Sequence, residues 1–183
     1  MVRVPRLLEE EAIYHVTCRG NNKTKIFFVT YDYKRYLSNV QRYKVKYKFA
    51  IYAYTLMTNH VHMLIKPKLP KQLPRIMSAL NVSYAMWHNR RYERVGHLWQ
   101  GRYSSRIIID EGDLLNCMAY IEMNPVKAGV KKDPESYIWC SYYERLKDAS
   151  RNIIDFHPGY MDLGDTKEER SLRYRGLLSR TGS

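Results

Sequence analysis

Two apolar runs, at residues 49–57 (FAIYAYTLM) and 60–66 (HVHMLIK), are separated only by Thr58 and Asn59. Each run has the length and the β-branched and aromatic content of a strand. A connection of two residues can join only antiparallel neighbours, because parallel strands need a crossover of a dozen residues or more. The sequence therefore predicts a β-hairpin, and the rest of the chain has to extend or cover the sheet that this hairpin starts.

Strand-like and helix-like segments surround the hairpin: a strand at 12–18, a helix from Thr30, a helix from Pro74, a strand at 102–109 and a helix capped by Asp110. These assignments rest on apolar periodicity and on cap residues. We expect Pro125 to end the last helix, because the residue before a proline is pushed out of helical geometry. The order strand, helix, strand, strand, helix, strand, helix predicts an α+β fold, with a ferredoxin-like antiparallel sheet and helices packed on one face.

The length of 183 residues fits one compact domain with a small appendage. We assign residues 1–146 to the domain and residues 147–183 to a basic C-terminal tail, in which the capping-box pair Thr166 and Glu169 begins a short helix. The chain contains no run of about eighteen apolar residues, so no membrane span is expected. The N-terminus lacks the apolar core of a signal peptide, and the three cysteines are far apart. We therefore expect a cytoplasmic protein.

The charge of the chain is the first indication of a function. Thirty-one Lys and Arg against eighteen Asp and Glu give a net charge of +13. A basic protein attracts polyanions, with nucleic acid ahead of an anionic membrane surface, although a generally basic proteome would explain the charge equally well. Seventeen tyrosines favour nucleic acid, because aromatic rings among Lys and Arg suit stacking on unpaired bases.

His60 and His62 are the first candidate site residues. Residues i and i+2 of a strand point to the same face, so both imidazoles project side by side. Val61, Met63 and Ile65 point to the opposite face and are expected in the core. The strand would thus carry core residues on one face and two candidate metal ligands on the other. The alternative is a pair of half-exposed histidines without a partner, since a His-x-His pair alone is weak evidence.

The helix from Asp110 carries a second pair of candidates. Its apolar stripe comprises Leu114, Cys117, Met118 and Ile121, and its polar stripe comprises Asp113, Asn116, Tyr120 and Asn124. If the helix lies across the sheet near His60 and His62, Asn124 could supply a third ligand and Tyr120 could point its hydroxyl at whatever the metal holds. The alternative for Tyr120 is a boundary aromatic with a packed ring and a hydrated hydroxyl.

Four motifs follow one another along the chain: YHVTCRGNNKTKIFF (14–28), AYTLMTNHVHMLI (53–65), VGHLWQGRYSS (95–105) and YIEMNPVKAGV (120–130). Together they resemble the single-tyrosine HUH transposases, and most closely the branch associated with repetitive extragenic palindromes (REP). The resemblance covers roughly residues 5–146. It implies a metal-dependent endonuclease and strand-transferase that acts on single-stranded DNA folded into hairpins.

Roles of individual residues follow from the resemblance. It implies that His60 and His62 bind the metal, Mg²⁺ or Mn²⁺, and that Asn124 completes the metal site. Tyr120 would be the nucleophile, which forms a 5′-phosphotyrosine link and frees a 3′-hydroxyl. Insertion-sequence relatives often have Gln at the position of Asn124 and work as dimers with the tyrosine helix in trans. Here either a monomer or a homodimer is expected.

Four residues of the family motifs are candidates for contact with DNA. These candidate DNA-binding residues are Arg19, Asn21, Arg102 and Tyr103.

Other protein classes are alternatives to the transposase. A replication initiator or relaxase would share the His-hydrophobe-His pair but is usually a larger chain. A histidine-triad hydrolase would need a third His where Leu64 stands. The alternative of a different class is a catalytically unused hairpin-DNA-binding protein derived from a transposase, which would have little reason to keep an intact set of site residues.

Overall fold

The computed structural model describes residues 12–147 and 151–182. Its sheet has four antiparallel strands, which are β1 (Tyr14–Arg19), β2 (Ala50–Met57), β3 (His60–Lys66) and β4 (Ser104–Ile107). Their order in the sheet is β2-β3-β1-β4. The predicted hairpin is β2 and β3, and the strand order is that of a ferredoxin-like sheet. The predicted α+β fold is confirmed.

Two long helices, α1 (Thr30–Tyr47) and α2 (Leu73–Arg91), cover one face of the sheet. Asn81 on α2 donates from Nδ2 to the sulfur of Cys18 on β1, at 3.3 Å. The Val61 and Met63 side chains on β3 are buried on this same face, as expected from their spacing. Of the helices in the described segments, none is long and apolar enough to cross a membrane.

Helix α3 (Glu111–Lys127) lies against the opposite face, over β2 and β3. The expectation that the helices pack on one face of the sheet is therefore wrong, because the polar face of β2 and β3 is covered by α3 as well. Asp110 caps it as predicted, since its side chain accepts a hydrogen bond from the backbone N–H of Asp113. The expectation that Pro125 ends the helix is wrong, because α3 continues to Lys127 with the proline inside its last turn.

A hydroxyl group from the sheet compensates for this proline. Pro125 has no N–H, so it cannot bond to the carbonyl of Ile121 one turn earlier. Thr55 Oγ1 on β2 donates to that carbonyl instead, at 2.7 Å. Thr55 is paired with His62 in the β2–β3 register. The bond therefore ties the C-terminal half of α3 to the sheet directly beside His62.

The C-terminal segment packs behind α3. It contains α4 (Ser141–Lys147), α5 (Pro158–Met161) and α6 (Lys167–Gly182), and short 3₁₀ turns occupy 21–23, 70–72 and 134–136. Tyr174 on α6 donates to the fully buried carboxylate of Glu122 on α3 at 2.6 Å. Arg145 on α4 forms an ion pair with the same carboxylate at 3.1 Å. The segment after residue 146 thus contributes to the core, and the assignment of a separate tail stays a prediction.

Removal of the Thr55 hydroxyl tests the role of the proline. We expect Thr55→Val to lower the free energy of unfolding by about 1–3 kcal/mol, because the buried Ile121 carbonyl loses its donor. In a Pro125→Ala background the restored N–H can serve that carbonyl, so the same substitution should cost clearly less. Urea unfolding of the four proteins in a double-mutant cycle measures the difference. Thr58→Val, exposed in the hairpin turn, is the control. Equal costs in both backgrounds would contradict this account.

Candidate active site

His60 and His62 project together from the face of the sheet that α3 covers. Their ring centroids are 5.0 Å apart and the rings are nearly perpendicular, at 83°. The His62 side chain is buried and that of His60 is half-buried. Strand periodicity brings the two imidazoles together, as expected from the sequence.

Helix α3 brings Tyr120 to the same place. The Tyr120 ring lies 6.0 Å from the His62 ring, measured between centroids, and 41% of the residue is exposed. Because Thr55 holds the Ile121 carbonyl beside His62, the residue before Ile121 lies at the edge of the histidine pair. The Lys127 ammonium group is 5.4 Å from the Tyr120 ring. A half-exposed phenol beside a cation can reach an anionic group that approaches from solvent.

Asn124 lies one helical turn after Tyr120 on α3. Its side chain is half-buried, and Nδ2 donates to the carbonyl of Tyr120 at 2.8 Å. This bond fixes the orientation of the amide and leaves Oδ1 as its acceptor atom. The residue thus carries a neutral oxygen close to Tyr120, and its role as a third ligand remains a prediction.

The Nδ1 atoms of both candidate ligands have hydrogen-bond partners that the sequence analysis did not single out. His60 Nδ1 is 2.6 Å from Asn59 Oδ1. His62 Nδ1 is 2.9 Å from His15 Nε2 and 3.1 Å from Thr17 Oγ1. In the sequence, only strand periodicity could have indicated His15 and Thr17, because both alternate with buried residues of β1. Thr17 is paired with His62 in the sheet.

All three histidines at the site have lowered pKa values. Burial, followed by the charge of Arg106, lowers the pKa of His15 to about 4. Burial and the neighbouring Arg19 lower the pKa of His60 to about 4. Burial, together with the adjacent His15 and His60, lowers the pKa of His62 to about 3. The imidazoles are therefore neutral near pH 7, which is the state in which a histidine can bind a metal.

The side chains at the site limit how a metal ion could be held there. Within the described segments, no three His, Cys, Asp or Glu side chains are placed to hold one. A site on His60 and His62 would therefore need a ligand of another type, as an Asn124 oxygen would be. Two neutral imidazoles and an amide fit Mn²⁺ better than Mg²⁺ by ligand type, and they leave coordination positions open.

The candidate DNA-binding residues fall into two groups. Arg19 is exposed at the end of β1 and is paired with His60, so it borders the histidine pair. Asn21, Arg102 and Tyr103 line a cleft of about 720 Å³ between α2 and the loop before β4. Arg102 is exposed at this cleft, whereas Tyr103 is buried in its wall. Contact of these residues with DNA stays a prediction.

Comparisons with known proteins point to one family. The family model described as "Transposase IS200 like" matches residues 9–124. A curated protein from Haemophilus influenzae, named as a REP-associated tyrosine transposase, is 24% identical over 151 residues, which cover 74% of this chain and 82% of that protein.

A solved structure shares the fold. It is described as a REP-associated tyrosine transposase bound to a REP hairpin, and it covers 85% of this chain and 95% of its own, with a TM-score of 0.69 and 17% identity. Identity at this level establishes the fold alone, whereas the family model spans more than half of the chain. The chain therefore belongs to the IS200-like transposase family.

Proposed function

We propose that the protein cleaves and rejoins single-stranded DNA at hairpins, with Tyr120 as the nucleophile and Mg²⁺ or Mn²⁺ as the cofactor. One observation carries the proposal: Tyr120 is half-exposed on the face that bears His60 and His62, with its ring 6.0 Å from that of His62. A core tyrosine would be buried, and a surface tyrosine would have no reason to place its ring against a neutral, buried histidine.

The reaction is a transesterification. The Tyr120 oxygen attacks the scissile phosphorus and loses its proton, a P–O bond to Tyr120 forms, and the P–O bond to the 3′ oxygen breaks. The departing 3′ oxygen takes up a proton, and the 5′ phosphate stays on the tyrosine. Attack by a 3′-hydroxyl reverses these changes and joins strands, so no external energy source is needed.

A phenol has a reference pKa of about 10 and is a weak nucleophile at neutral pH. A divalent ion, when bound, polarises the scissile phosphate and stabilises the charge on its oxygens. His60, His62 and Asn124 would hold it. Lys127, 5.4 Å from the Tyr120 ring, adds positive charge where the phosphate would lie. Arg19 beside His60 would contact the DNA backbone on the other side of the site.

Two observations support DNA as the substrate, and a third bears on the assembly. The solved structure that shares this fold is described as bound to a REP hairpin, and the net charge of +13 suits a polyanion. Tyr120 and both histidines come together within one chain, so a monomer could carry the whole site. A homodimer would need no exchange of α3.

Covalent capture on hairpin DNA tests the proposal. With single-stranded hairpin DNA and Mn²⁺, we expect a protein–DNA adduct on a denaturing gel. Tyr120→Phe should abolish the adduct, because the attacking oxygen is gone. His62→Ala should reduce its rate by at least ~100-fold, since metal stabilisation of the charge on the phosphate is worth several kcal/mol.

Tyr31→Phe is the matched control, because Tyr31 is also exposed but lies on α1, on the opposite side of the sheet. This variant should form the adduct at the wild-type rate. If the wild-type protein binds hairpins tightly and never forms an adduct, the protein is a hairpin-binding module and the enzymatic proposal is wrong.

The lowered pKa values predict acid sensitivity of the metal-free protein. In the folded protein the pKa values of His60 and His62 are about 4 and about 3, below the reference of 6.5. Between about pH 4 and pH 6.5 the unfolded chain therefore binds more protons than the folded protein. The contribution of the two neutral histidines to the free energy of unfolding should be fully present above pH 6.5, and it should fall as the pH drops from 6.5 towards 4. Urea unfolding at several pH values measures this slope. His62→Gln should show a shallower slope than the wild type, and an unchanged slope would refute the assignment.

A further inference from the structure

His15 is a half-buried histidine at the site to which the proposed reaction gives no role. It belongs to β1 and lies on the same face as His62, on the neighbouring strand β3. The two rings stack, with centroids 5.1 Å apart and an angle of 29° between them. The His15 ring also meets the edge of Tyr120, at 5.9 Å between centroids. His15 therefore contacts both the candidate ligand and the candidate nucleophile.

The atoms that join His15 to His62 restrict what either ring can do. His15 Nε2 and His62 Nδ1 are 2.9 Å apart, so one of them donates a hydrogen bond and the other accepts it. A neutral imidazole has one N–H, and the unprotonated nitrogen alone can bind a metal. If His62 donates from Nδ1, its Nε2 keeps a lone pair; if it accepts at Nδ1, its Nε2 carries the proton and cannot be a ligand.

The other candidate ligand shows which arrangement suits a metal site. His60 Nδ1 is 2.6 Å from Asn59 Oδ1, and a carbonyl oxygen can only accept, so His60 carries its proton on Nδ1. Its free nitrogen is therefore Nε2. Histidines that bind metals commonly donate their other N–H to a fixed partner, which sets the tautomer and the ring orientation.

We propose that His15 is a positioning residue that accepts a hydrogen bond from His62 Nδ1 and thereby keeps His62 Nε2 unprotonated and directed into the site. The role of Nε2 as a ligand rests on the proposed function. Thr17 Oγ1, 3.1 Å from the same Nδ1, supports the ring from a second side, but a hydroxyl can donate or accept and so does not choose the tautomer. His15 makes that choice when its own proton is on Nδ1.

His15 is not a third ligand in this arrangement. Its Nε2 is engaged with His62 Nδ1, the nitrogen of His62 that faces away from the proposed ligand atom. In residues 12–147 and 151–182, His15, His60 and His62 do not form a three-ligand metal group. The structure therefore gives His15 the position of a hydrogen-bond partner behind a ligand.

The tautomers can be measured in the wild-type protein without metal. Long-range ¹H–¹⁵N NMR correlation at pH 7 reports which ring nitrogen of each histidine is protonated. We expect an Nδ1–H tautomer for His62, His15 and His60. An Nε2–H tautomer for His62 would overturn the inference without any variant having to fold.

Metal binding by variants provides the second test. Titration of the metal-free protein with Mn²⁺, followed by electron paramagnetic resonance, should show ~10–100-fold weaker binding in His15→Leu, the range found when partners of metal-binding histidines are removed. His15→Gln offers an acceptor near the position of Nε2 and should recover most of the affinity. His88→Leu, a buried histidine on α2 across the sheet, is the control and should bind like the wild type.

The pattern of results separates this inference from the proposed function. If the wild type and His15→Leu bind Mn²⁺ equally, the role of His15 is overturned while the metal site stands. If the wild-type protein binds no Mn²⁺, the metal in the proposed function is wrong and the role given to His15 falls with it. Rescue by His15→Gln supports the hydrogen bond over a simple packing role, because Gln fills the space of the ring poorly.

Discussion

The hydrogen bond from Thr55 to the carbonyl of Ile121 determines where the candidate nucleophile lies. Pro125 leaves this carbonyl without its helical donor, and the Thr55 hydroxyl on the sheet donates to it instead. A contact between helix and sheet thus replaces the missing hydrogen bond within the helix. Since Thr55 is paired with His62, the contact sets the position of α3 relative to the histidines. Tyr120, one residue before Ile121, is positioned by a bond that it does not itself make.

The alternation of strand β3 gives the sheet two different surfaces. Val61 and Met63 belong to the face that α1 and α2 cover, and His60 and His62 belong to the face that meets α3. A shift of the strand by one residue would place the imidazoles in the apolar core. The packing that stabilises the fold therefore also fixes the register that exposes the candidate site.

Local patterns predicted the hairpin, most of the strands and helices along the chain, and the shared face of His60 and His62, because each depends on periodicity or cap residues within a short segment. Tyr120 was separated from the buried stripe of its helix for the same reason. The continuation of α3 past Pro125 was not predicted, since it depends on a hydroxyl 70 residues earlier in the chain. Strand periodicity places His15 on the polar face of β1, but its contact with His62 joins two strands that are 47 residues apart, and local spacing does not show it. The contact of Glu122 with Arg145 also joins distant segments and has no signal in local spacing.

The buried carboxylate of Glu122 bears on how copies of this chain could exchange parts. Glu122 is on α3, two residues after Tyr120, and its partners Arg145 and Tyr174 belong to α4 and α6. Removing one member of a buried ion pair typically costs about 3–5 kcal/mol. Transfer of α3 in one direction only, with no α3 returned by the second copy, would leave the guanidinium of Arg145 without its carboxylate inside the protein. Any domain-swapped form must therefore either exchange α3 in both directions, so that each Arg145 meets the Glu122 of the other copy, or carry α3 to α6 as one unit.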